Sequence, residues 1–375
     1  MALELADIFR QYGPSYRQKY ASRMPGNHFL AMRAVEQCRT EAMGGQVYRC
    51  PNCEQVQYSY HSCRNRHCPK CQNENAQAWL ERQQELLLRV PYFLLTFTVP
   101  AGLNPVARSH QSLLYTCTWC RCKCDLLFKT SAAATQQLAQ EPRWIGGQIG
   151  MVGVLHTWGR NLAYHPHIHY LVPGGAWKEA EQRWLPARQD FLLPVRALSR
   201  VFRGKLRQAL RGTDCYARIP AKVWQQDWVV HCEGVGSGLN ALKYLAPYIF
   251  RVALSNNRIL SLEGDRVTFR YRDTESGAEK RCSLGAEEFI HRFLQHVLPK
   301  NFVKVRYYGF FAPTLRARLT ALRHSLLATA EAQPADPTAT PPGSPTLRPH
   351  TFLCPHCGQP MLFQRTLPPT LCRSP

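Results

Sequence analysis

The chain has 375 residues, 45% hydrophobic and 19% charged, so it can bury a substantial core divided into two or three domains. Lysine and arginine outnumber acidic residues by 47 to 25, a formal charge of +22. So many positive charges repel one another unless phosphates neutralise them. A protein with a polyanionic partner is therefore favoured over a basic protein that binds no nucleic acid. No run reaches 18 apolar residues and Glu4 and Asp7 lie near the start, which argues against a membrane span or signal peptide. We therefore expect a cytoplasmic, nucleoid-associated protein with no membrane partner, whose 16 cysteines stay reduced.

The first part of the chain predicts helices followed by a zinc ribbon. A helical entry is expected over residues 1–27 and a second helix from His28 to Cys38. Two C-x-x-C pairs then follow, separated by residues 54–67, with an alternating strand pattern between them. This spacing predicts one structural zinc site, whereas buried or redox cysteines are the alternative. The predicted ligands are Cys50, Cys53, Cys68 and Cys71.

The residues around these pairs suggest two further roles. A second zinc site could be built from residues that the two pairs leave unassigned, Cys38, Cys63 and His67. Arg64, Arg66 and Lys70 adjoin the second pair and offer contacts to DNA phosphates. The zinc ribbon is therefore expected to shape a DNA-binding surface.

An amphipathic helix is predicted over Gln77–Arg89, ending before Pro91, and a buried central strand over Tyr92–Val99. The cysteines between Cys117 and Cys124 lack a second well-spaced pair and are interpreted mostly as non-metal residues. They lead into a helical pattern over residues 125–139.

Two short apolar runs, Met151–Trp158 and Ile168–Val172, predict a hairpin in the same sheet. Because side chains alternate along a strand, His167 and His169 project from one face and can share one divalent cation. His156 would lie roughly opposite them and is a candidate third ligand. A chance H-x-H pattern in a chain with 14 histidines is the alternative.

The segment Leu239–Ser255 has a helical pattern with one apolar face and one polar stripe. The stripe carries Asn240, Tyr244, Tyr248, Arg251 and Ser255. Pro247 lies between the tyrosines and should kink the helix. The tyrosines could be nucleophiles or ordinary half-buried residues with satisfied hydroxyls.

A tyrosine nucleophile needs assistance, because ionising a phenol at neutral pH costs about 4 kcal/mol. Lys243 or Arg251 could favour the phenolate, and a divalent cation on the histidines could polarise a scissile phosphate. A phosphotyrosine link conserves the energy of the cut phosphodiester, so a strand can be rejoined without ATP. A second tyrosine permits a second cut before the first product is released. This chemistry suits strand transfer better than hydrolysis.

The last third predicts a strand over Val267–Tyr271, a helix over Glu287–Val297 and a basic, aromatic strand or edge over Val303–Phe311. Residues 333–349 have the composition of a linker. Beyond them stands one more pair, Cys354 and Cys357, which two neighbouring histidines or a more distant cysteine could complete as a small zinc element. Those residues are His350, His356 and Cys372.

Several blocks together resemble the rolling-circle transposases of the insertion-sequence ninety-one family, a class of HUH endonucleases. The resemblance covers residues 28–325. It is carried by the segment 62–71 (SCRNRHCPKC), by 97–100 (FTVP), by 165–175 (HPHIHYLVPGG), by 244–248 (YLAPY) running on to 255–259 (SNNRI), and by 293–299 (FLQHVLP).

The resemblance implies that His167 and His169 bind Mg²⁺ or Mn²⁺ and that Tyr244 and Tyr248 are nucleophiles. It also implies an α+β fold, in which a small zinc ribbon precedes an HUH core with a ferredoxin-like or RRM-like antiparallel sheet faced by helices. Two features depart from the family pattern: Pro247 between the tyrosines and the cysteine cluster at 117–124. The proline affects the expected geometry of the second tyrosine.

The predicted domains are the helical entry (1–27), the zinc-binding DNA-contact domain (28–90), the catalytic domain (91–325), a linker (326–350) and a cysteine-containing tail (351–375). The predicted function is a DNA transposase that nicks single-stranded element ends, forms a 5′-phosphotyrosine and transfers the strand to target DNA. A plasmid replication initiator or relaxase would use the same residues. A non-catalytic zinc DNA-binding protein is the alternative from another class.

Overall fold

The computed structural model describes residues 3–71, 79–84, 86–115, 125–240, 242, 253–273, 276–299, 302–331 and 352–370. The protein is a mixed α/β chain whose sheets are antiparallel. Its α-helices are α1 (Leu5–Tyr20), α2 (Gly26–Gln37), α3 (Asn104–Ser109), α4 (Gln111–Tyr115), α5 (Leu126–Gln140), α6 (Val195–Leu210), α7 (Lys222–Gln225), α8 (Ala286–Leu294) and α9 (Arg316–Glu331). Within those ranges no helix combines the length and apolar character that crossing a bilayer requires.

The strands form four sheets. They are β1 (Gly45–Arg49), β2 (Val56–Tyr60), β3 (Pro91–Thr98), β4 (Met151–Trp158), β5 (Tyr164–Pro173), β6 (Gly175–Lys178), β7 (Arg183–Pro186), β8 (Val230–Ser237), β9 (Ile259–Glu263), β10 (Arg266–Arg272), β11 (Glu279–Gly285), β12 (Val305–Tyr308) and β13 (Leu362–Leu367). The largest sheet has the order β12-β4-β5-β3-β8. The predicted strand over residues 92–99 and the predicted hairpin are both confirmed, and they share this sheet as expected.

The central sheet is covered on both faces, which explains why its strands are apolar almost without interruption. One face carries Phe97, Leu155 and Tyr170 and packs against α5 and α6. The opposite face carries Leu94 and Val154. It packs against side chains from two separate segments, residues 79–90 (among them Trp79 and Leu88) and residues 310–322 (among them Phe310 and Leu319).

A second core joins the amino-terminal helices to the later part of the chain. Helices α1 and α2 pack on each other and on α8, which leans against the three-stranded sheet β9–β11. The rings of Phe9 and Phe293 meet edge to face with centroids 5.4 Å apart. The two predicted amino-terminal helices are thereby confirmed, and they share their core with residues 253–297.

A small third sheet has the order β13-β1-β2. Its strand β13 comes from the far end of the chain and pairs with β1 from Gly45↔Leu367 to Arg49↔Leu362. The expected ribbon between the cysteine pairs is present, with β2 matching the predicted strand. The strand added by residues 362–367 was not predicted.

Other predicted elements fall partly or wholly outside the described residues. The helix expected over Gln77–Arg89 is described as helical at 79–84. The helical segment Leu239–Ser255 is described at its ends alone, and the cysteine run 117–124 and the linker 333–349 lie outside. The strand expected over 303–311 is shorter, because it ends at Tyr308 where Gly309 turns the chain with a positive φ of 60°.

Candidate active site and cysteine clusters

Three histidines meet on the face of the central sheet that carries Leu94 and Val154. His156 on β4 is the direct cross-strand partner of His167 on β5, and His169 lies two residues further along β5. Their ring centroids are separated by 5.5 Å (His156 to His167), 5.1 Å (His156 to His169) and 4.8 Å (His167 to His169). One ring nitrogen of each lies within 4.8 Å of the others. The sheet register thus brings together all three histidines that were singled out in the sequence.

Neighbouring groups orient these rings. The Nδ1 of His167 donates to the carbonyl oxygen of His165 at 2.7 Å, because a carbonyl can only accept. The Nδ1 of His169 lies 2.9 Å from Thr96 Oγ1. The ring of Trp158 stacks on His156 with centroids 4.7 Å apart. Because the proton of neutral His167 lies on Nδ1, in the hydrogen bond to the His165 carbonyl, the lone pair is on Nε2, as in histidines that bind metals.

Burial favours the neutral form of the His167 and His169 imidazoles. It lowers the pKa of His167 to about 4, although the bond to the His165 carbonyl opposes the shift. It lowers the pKa of His169 to about 3, assisted by the nearby His167. A neutral imidazole offers a lone pair, so at neutral pH the cluster can coordinate a cation without first losing protons.

Residues 243–252, called the tyrosine segment below, lie outside the described residues. The segment contains Lys243, Tyr244, Pro247, Tyr248 and Arg251. Its described neighbours on both sides can be located. Leu242 is 2% exposed and packs against Leu171 and Val152 on the histidine face of the sheet. Ala253 lines a small pocket with Trp158, the residue that stacks on His156. Ten residues, 243–252, connect these two positions.

Cysteines form two separate clusters, which corrects the predicted ligand set. Cys50 and Cys53 do not group with Cys68 and Cys71 in the described structure. The first cluster instead consists of Cys38, Cys63, Cys68 and Cys71, whose sulfurs lie within 4.8 Å of one another. The Sγ of Cys71 is 3.4 Å from that of Cys38 and 3.6 Å from that of Cys63. Four thiols at this spacing match the donor set of a closed structural zinc site.

His67 does not belong to this cluster, which corrects the second expectation for the remaining cysteines. Burial lowers its pKa to about 3. Its main chain donates to Asn65 Oδ1 at 2.9 Å in the turn that leads to Cys68. Cys38 and Cys63 are indeed brought together, but Cys68 and Cys71 complete their set.

The second cluster consists of Cys50, Cys53, Cys354 and Cys357, again with sulfurs within 4.8 Å of one another. The Sγ atoms of Cys50 and Cys357 are 3.4 Å apart, and those of Cys53 and Cys354 are 3.5 Å apart. The sequence offered His350, His356 and Cys372 as the residues that could complete the carboxyl-terminal pair. It is completed by residues about 300 positions earlier in the chain.

Comparison with known proteins identifies the two main parts of the chain. Residues 8–99 match a family described as "Transposase zinc-binding domain", and residues 150–318 match one described as "Putative transposase". A Sinorhizobium fredii (strain NBRC 101917 / NGR234) protein named "Putative transposase y4qJ" is 37% identical over 90% of this chain and 87% of its own length. The chain belongs to the insertion-sequence ninety-one family of transposases.

A Pseudomonas savastanoi pv. phaseolicola protein named "Transposase for insertion sequence element IS801" is also similar. It is 28% identical over 73% of this chain and 68% of its own length. No solved structure matches the chain. Membership of a transposase family makes this protein a DNA-processing enzyme.

The predicted phosphate contacts of this transposase differ in how far their charge is already compensated. Lys70 Nζ forms an ion pair with Glu4 Oε2 at 2.5 Å, and Arg66 donates to the Phe302 carbonyl at 2.7 Å. Arg64 is exposed and has a positive φ of 51°. The carboxylate of Glu4 thus compensates the charge of Lys70, whereas the Phe302 carbonyl orients Arg66 without neutralising it.

Sequence reasoning missed an arginine cleft beside the loop that joins the two histidine strands. The cleft has a volume of about 280 Å³. It is lined by Arg160, Arg258, Arg270, Tyr271, Arg272 and Glu279. The guanidinium groups are held mainly by carbonyl oxygens: Arg258 Nε donates to Arg270 O at 2.9 Å and Arg160 Nη1 to Arg272 O at 3.2 Å. Carbonyls orient these groups without neutralising them. Arg270 Nη1 lies 3.7 Å from Glu279 Oε2, but four arginines against one lining carboxylate still leave the cleft positively charged towards an anion.

The signal for this cleft was weak in the sequence, because the four arginines come from a loop, from the turn before β9 and from β10. Thr96 was also missed. The alternation of β3 could have located it, since residues 94, 96 and 98 share the histidine face.

Proposed function

We propose that this transposase nicks single-stranded ends of its element with a tyrosine nucleophile and transfers the strand to target DNA by rolling-circle transposition. The observation that carries the proposal is the cluster of three histidines on one sheet face, flanked by both described ends of the tyrosine segment. In this proposal the central sheet and its helices are an HUH core of ferredoxin-like or RRM-like type. The domain limits are those expected from the sequence, with the tail at 352–370 added to the zinc-binding part.

The histidines suit a divalent cation. Three imidazoles converge, the low pKa values of His167 and His169 keep their nitrogen lone pairs available, and the Nδ1 of His167 is already committed to a carbonyl. When bound there, Mn²⁺ or Mg²⁺ would polarise the scissile phosphate and stabilise its developing negative charge. An all-nitrogen set favours Mn²⁺, because Mg²⁺ prefers oxygen ligands and gives up its water reluctantly.

The protein groups would carry out the other parts of the reaction. Tyr244 or Tyr248 would attack the phosphorus atom and displace the 3′-oxygen, so that the downstream strand stays joined to the protein through a 5′-phosphotyrosine. Lys243 or Arg251 would lower the cost of forming the phenolate, about 4 kcal/mol at neutral pH. The freed 3′-hydroxyl could prime replication, and the second tyrosine could make the cut that ends the transfer.

The remaining clusters would bind DNA and support the fold. A structural Zn²⁺ on Cys38, Cys63, Cys68 and Cys71 would fix the turn that presents Arg64. The arginine cleft at residues 160–279 would bind the phosphate backbone next to the histidine hairpin. A replication initiator or relaxase would use the same chemistry, but family membership favours the transposase.

The deciding experiment uses single-stranded oligonucleotides from the element's own ends, labelled at either the 5′ or the 3′ terminus. With Mn²⁺, the 3′ label should migrate with the protein on a denaturing gel, and the 5′ label should appear on a shorter free strand. Tyr244→Phe or Tyr248→Phe should abolish or reduce the adduct, whereas Tyr58→Phe, at a half-exposed tyrosine of the ribbon, should leave it unchanged.

The same assay separates the alternatives. A non-catalytic DNA-binding protein would shift the labelled strand on a native gel and give no adduct under any metal condition. Attachment of the 5′ label instead of the 3′ label would contradict the proposed polarity. An adduct that survives both tyrosine substitutions together would contradict the assignment of the nucleophiles.

A further inference from the structure

We infer that Cys50, Cys53, Cys354 and Cys357 bind a second structural Zn²⁺ that fastens the carboxyl-terminal tail to the amino-terminal ribbon. The family that describes the zinc-binding part of the chain covers residues 8–99, so it includes one of these cysteine pairs and leaves out the other. The inference rests on the geometry of the two pairs and is independent of the proposed nicking reaction.

The two cysteine pairs adopt the same turn. In the first, Glu54 N donates to Cys50 O at 3.0 Å and Cys50 N to Gln55 O at 2.9 Å. In the second, Gly358 N donates to Cys354 O and Cys354 N to Gln359 O, both at 2.8 Å. The residue after the second cysteine has a positive φ in both turns, 62° in the first and 71° in the second.

Such matching turns are typical of zinc knuckles. Each turn holds two sulfurs on one side of a tight loop, and the loops face each other so that four sulfurs converge within 4.8 Å. Proline follows the first cysteine in both (Pro51 and Pro355), which restricts the backbone of the turn. Four thiolates in a closed set are the preferred ligands of structural zinc.

Without a metal, little would hold this part of the chain together. The buried residues of its core are Cys50, Cys354 and Met361, with a few partly buried neighbours such as Tyr48 and Phe352. Leu362 and Phe363 on β13 remain 56% and 54% exposed. A two-turn, three-stranded unit with so small a core needs a metal or another cross-link for stability. Zinc would supply that stability as binding free energy.

The consequence is a link between distant parts of the chain. Residues 332–351 separate α9 from the tail, and the tail then adds β13 to the free edge of β1. The metal would therefore close a loop of about 300 residues and hold β13 against the edge of the ribbon that it covers. The zinc-binding part of this transposase is then formed by both ends of the chain.

The test is zinc content of the purified full chain, measured by mass spectrometry of metals. Wild-type protein should hold two zinc ions, one for each four-cysteine cluster. The double substitution Cys354→Ser/Cys357→Ser should lower this to one, as Cys50→Ser should. Cys232→Ser/Cys282→Ser, at two partly buried cysteines outside the clusters, should keep both ions. Two zinc ions in the Cys354→Ser/Cys357→Ser protein would overturn the inference.

A second measurement shows what the metal does. A protease site inserted between residues 332 and 351 allows the linker to be cut in the folded protein. The tail should co-elute with the rest of the chain after cleavage, and it should be released in the Cys354→Ser/Cys357→Ser protein, which still has the other zinc cluster. Retention of the tail by that variant would show that strand pairing suffices.

Two controls make the result decisive. Cys357→His keeps a zinc-binding side chain, so it should restore the second ion and the retained tail if the double variant lost them through loss of a ligand. Failure of this restoration in a folded protein would count against the metal site. Mass measurement of the untreated protein tests the alternative of two disulfides: a loss of four hydrogens with no second zinc would overturn the inference.

Discussion

His156 and His167 face each other across the β4–β5 ladder, and this pairing places the third histidine, His169, beside both. We expect His156→Ala to weaken Mn²⁺ binding by at least tenfold, because one of three nitrogen ligands is lost. Isothermal titration of the protein with Mn²⁺ measures this change. His324→Ala on the exposed side of α9 is the matched control and should leave the affinity unchanged. Equal affinities in the two variants would remove His156 from the ligand set.

Thr96 is expected to position His169 through the 2.9 Å contact between Oγ1 and Nδ1. Thr96→Val keeps the shape of the side chain and removes the hydroxyl, so Mn²⁺ affinity should fall by about 10-fold or more. Thr96→Ser keeps the hydroxyl and should restore most of the affinity. The unfolding temperature without metal serves as a second readout, since a purely structural role would lower it in parallel with the affinity.

Acid should destabilise the metal-free protein below about pH 6.5. The pKa values of His28, His167 and His296 fall to about 4 and those of His67 and His169 to about 3, in each case chiefly because of burial. Between the unfolded pKa and these values the unfolded chain binds protons that the folded chain does not, so stability falls as pH falls. Each histidine contributes at most about 1.4 kcal/mol per pH unit in that window.

Chemical denaturation at pH 7.5, 6.0 and 5.0 in the presence of chelator measures this dependence. His167→Gln should reduce the slope between pH 6.0 and 5.0, because one neutral buried imidazole has been removed. His324→Gln, at an exposed position, should not. A slope that is unchanged in His167→Gln would contradict a depressed pKa at that residue.

The arginine cleft should contribute to DNA affinity through charge. Arg160→Ala or Arg272→Ala should weaken binding to single-stranded DNA regardless of its sequence. Each lost phosphate contact should also reduce the slope of log affinity against log salt by about 0.7. Fluorescence anisotropy at several salt concentrations gives both quantities. Arg292→Ala is the control, because its guanidinium already pairs with Glu288 at 2.7 Å. An equal loss in all three variants would point to overall charge instead of a phosphate site.

Local patterns predicted the elements of the site well. Alternation along residues 151–172 predicted a hairpin with His167 and His169 on one face, and pairing of the two runs predicted His156 roughly opposite them. The amino-terminal helices and β3 were predicted for similar reasons, since hydrophobic periodicity depends on neighbours in the sequence. The low histidine pKa values were not predictable, because they depend on the packing that covers the sheet.

The cysteines show where local reasoning ends. Two C-x-x-C pairs close together in the chain predicted one zinc site, but Cys50 and Cys53 meet Cys354 and Cys357, and Cys68 and Cys71 meet Cys38 and Cys63. Spacing reveals which residues can form a knuckle, and it does not reveal which knuckles face each other. That choice depends on β13 pairing with β1 and on α2 ending beside the second pair. The same holds for the four arginines of the cleft.

The amino-acid sequence by itself determined the family, the strong positive charge, several of the helices and strands and the chemical types of the candidate site residues, because these follow from short sequence motifs, composition and short-range periodicity. The tertiary structure alone decided the partners of each cysteine pair, the contact of Thr96 with His169 and the gathering of four arginines in one cleft. These features join residues from separate strands and from both ends of the chain, and contacts over such distances are set by the packing of whole elements.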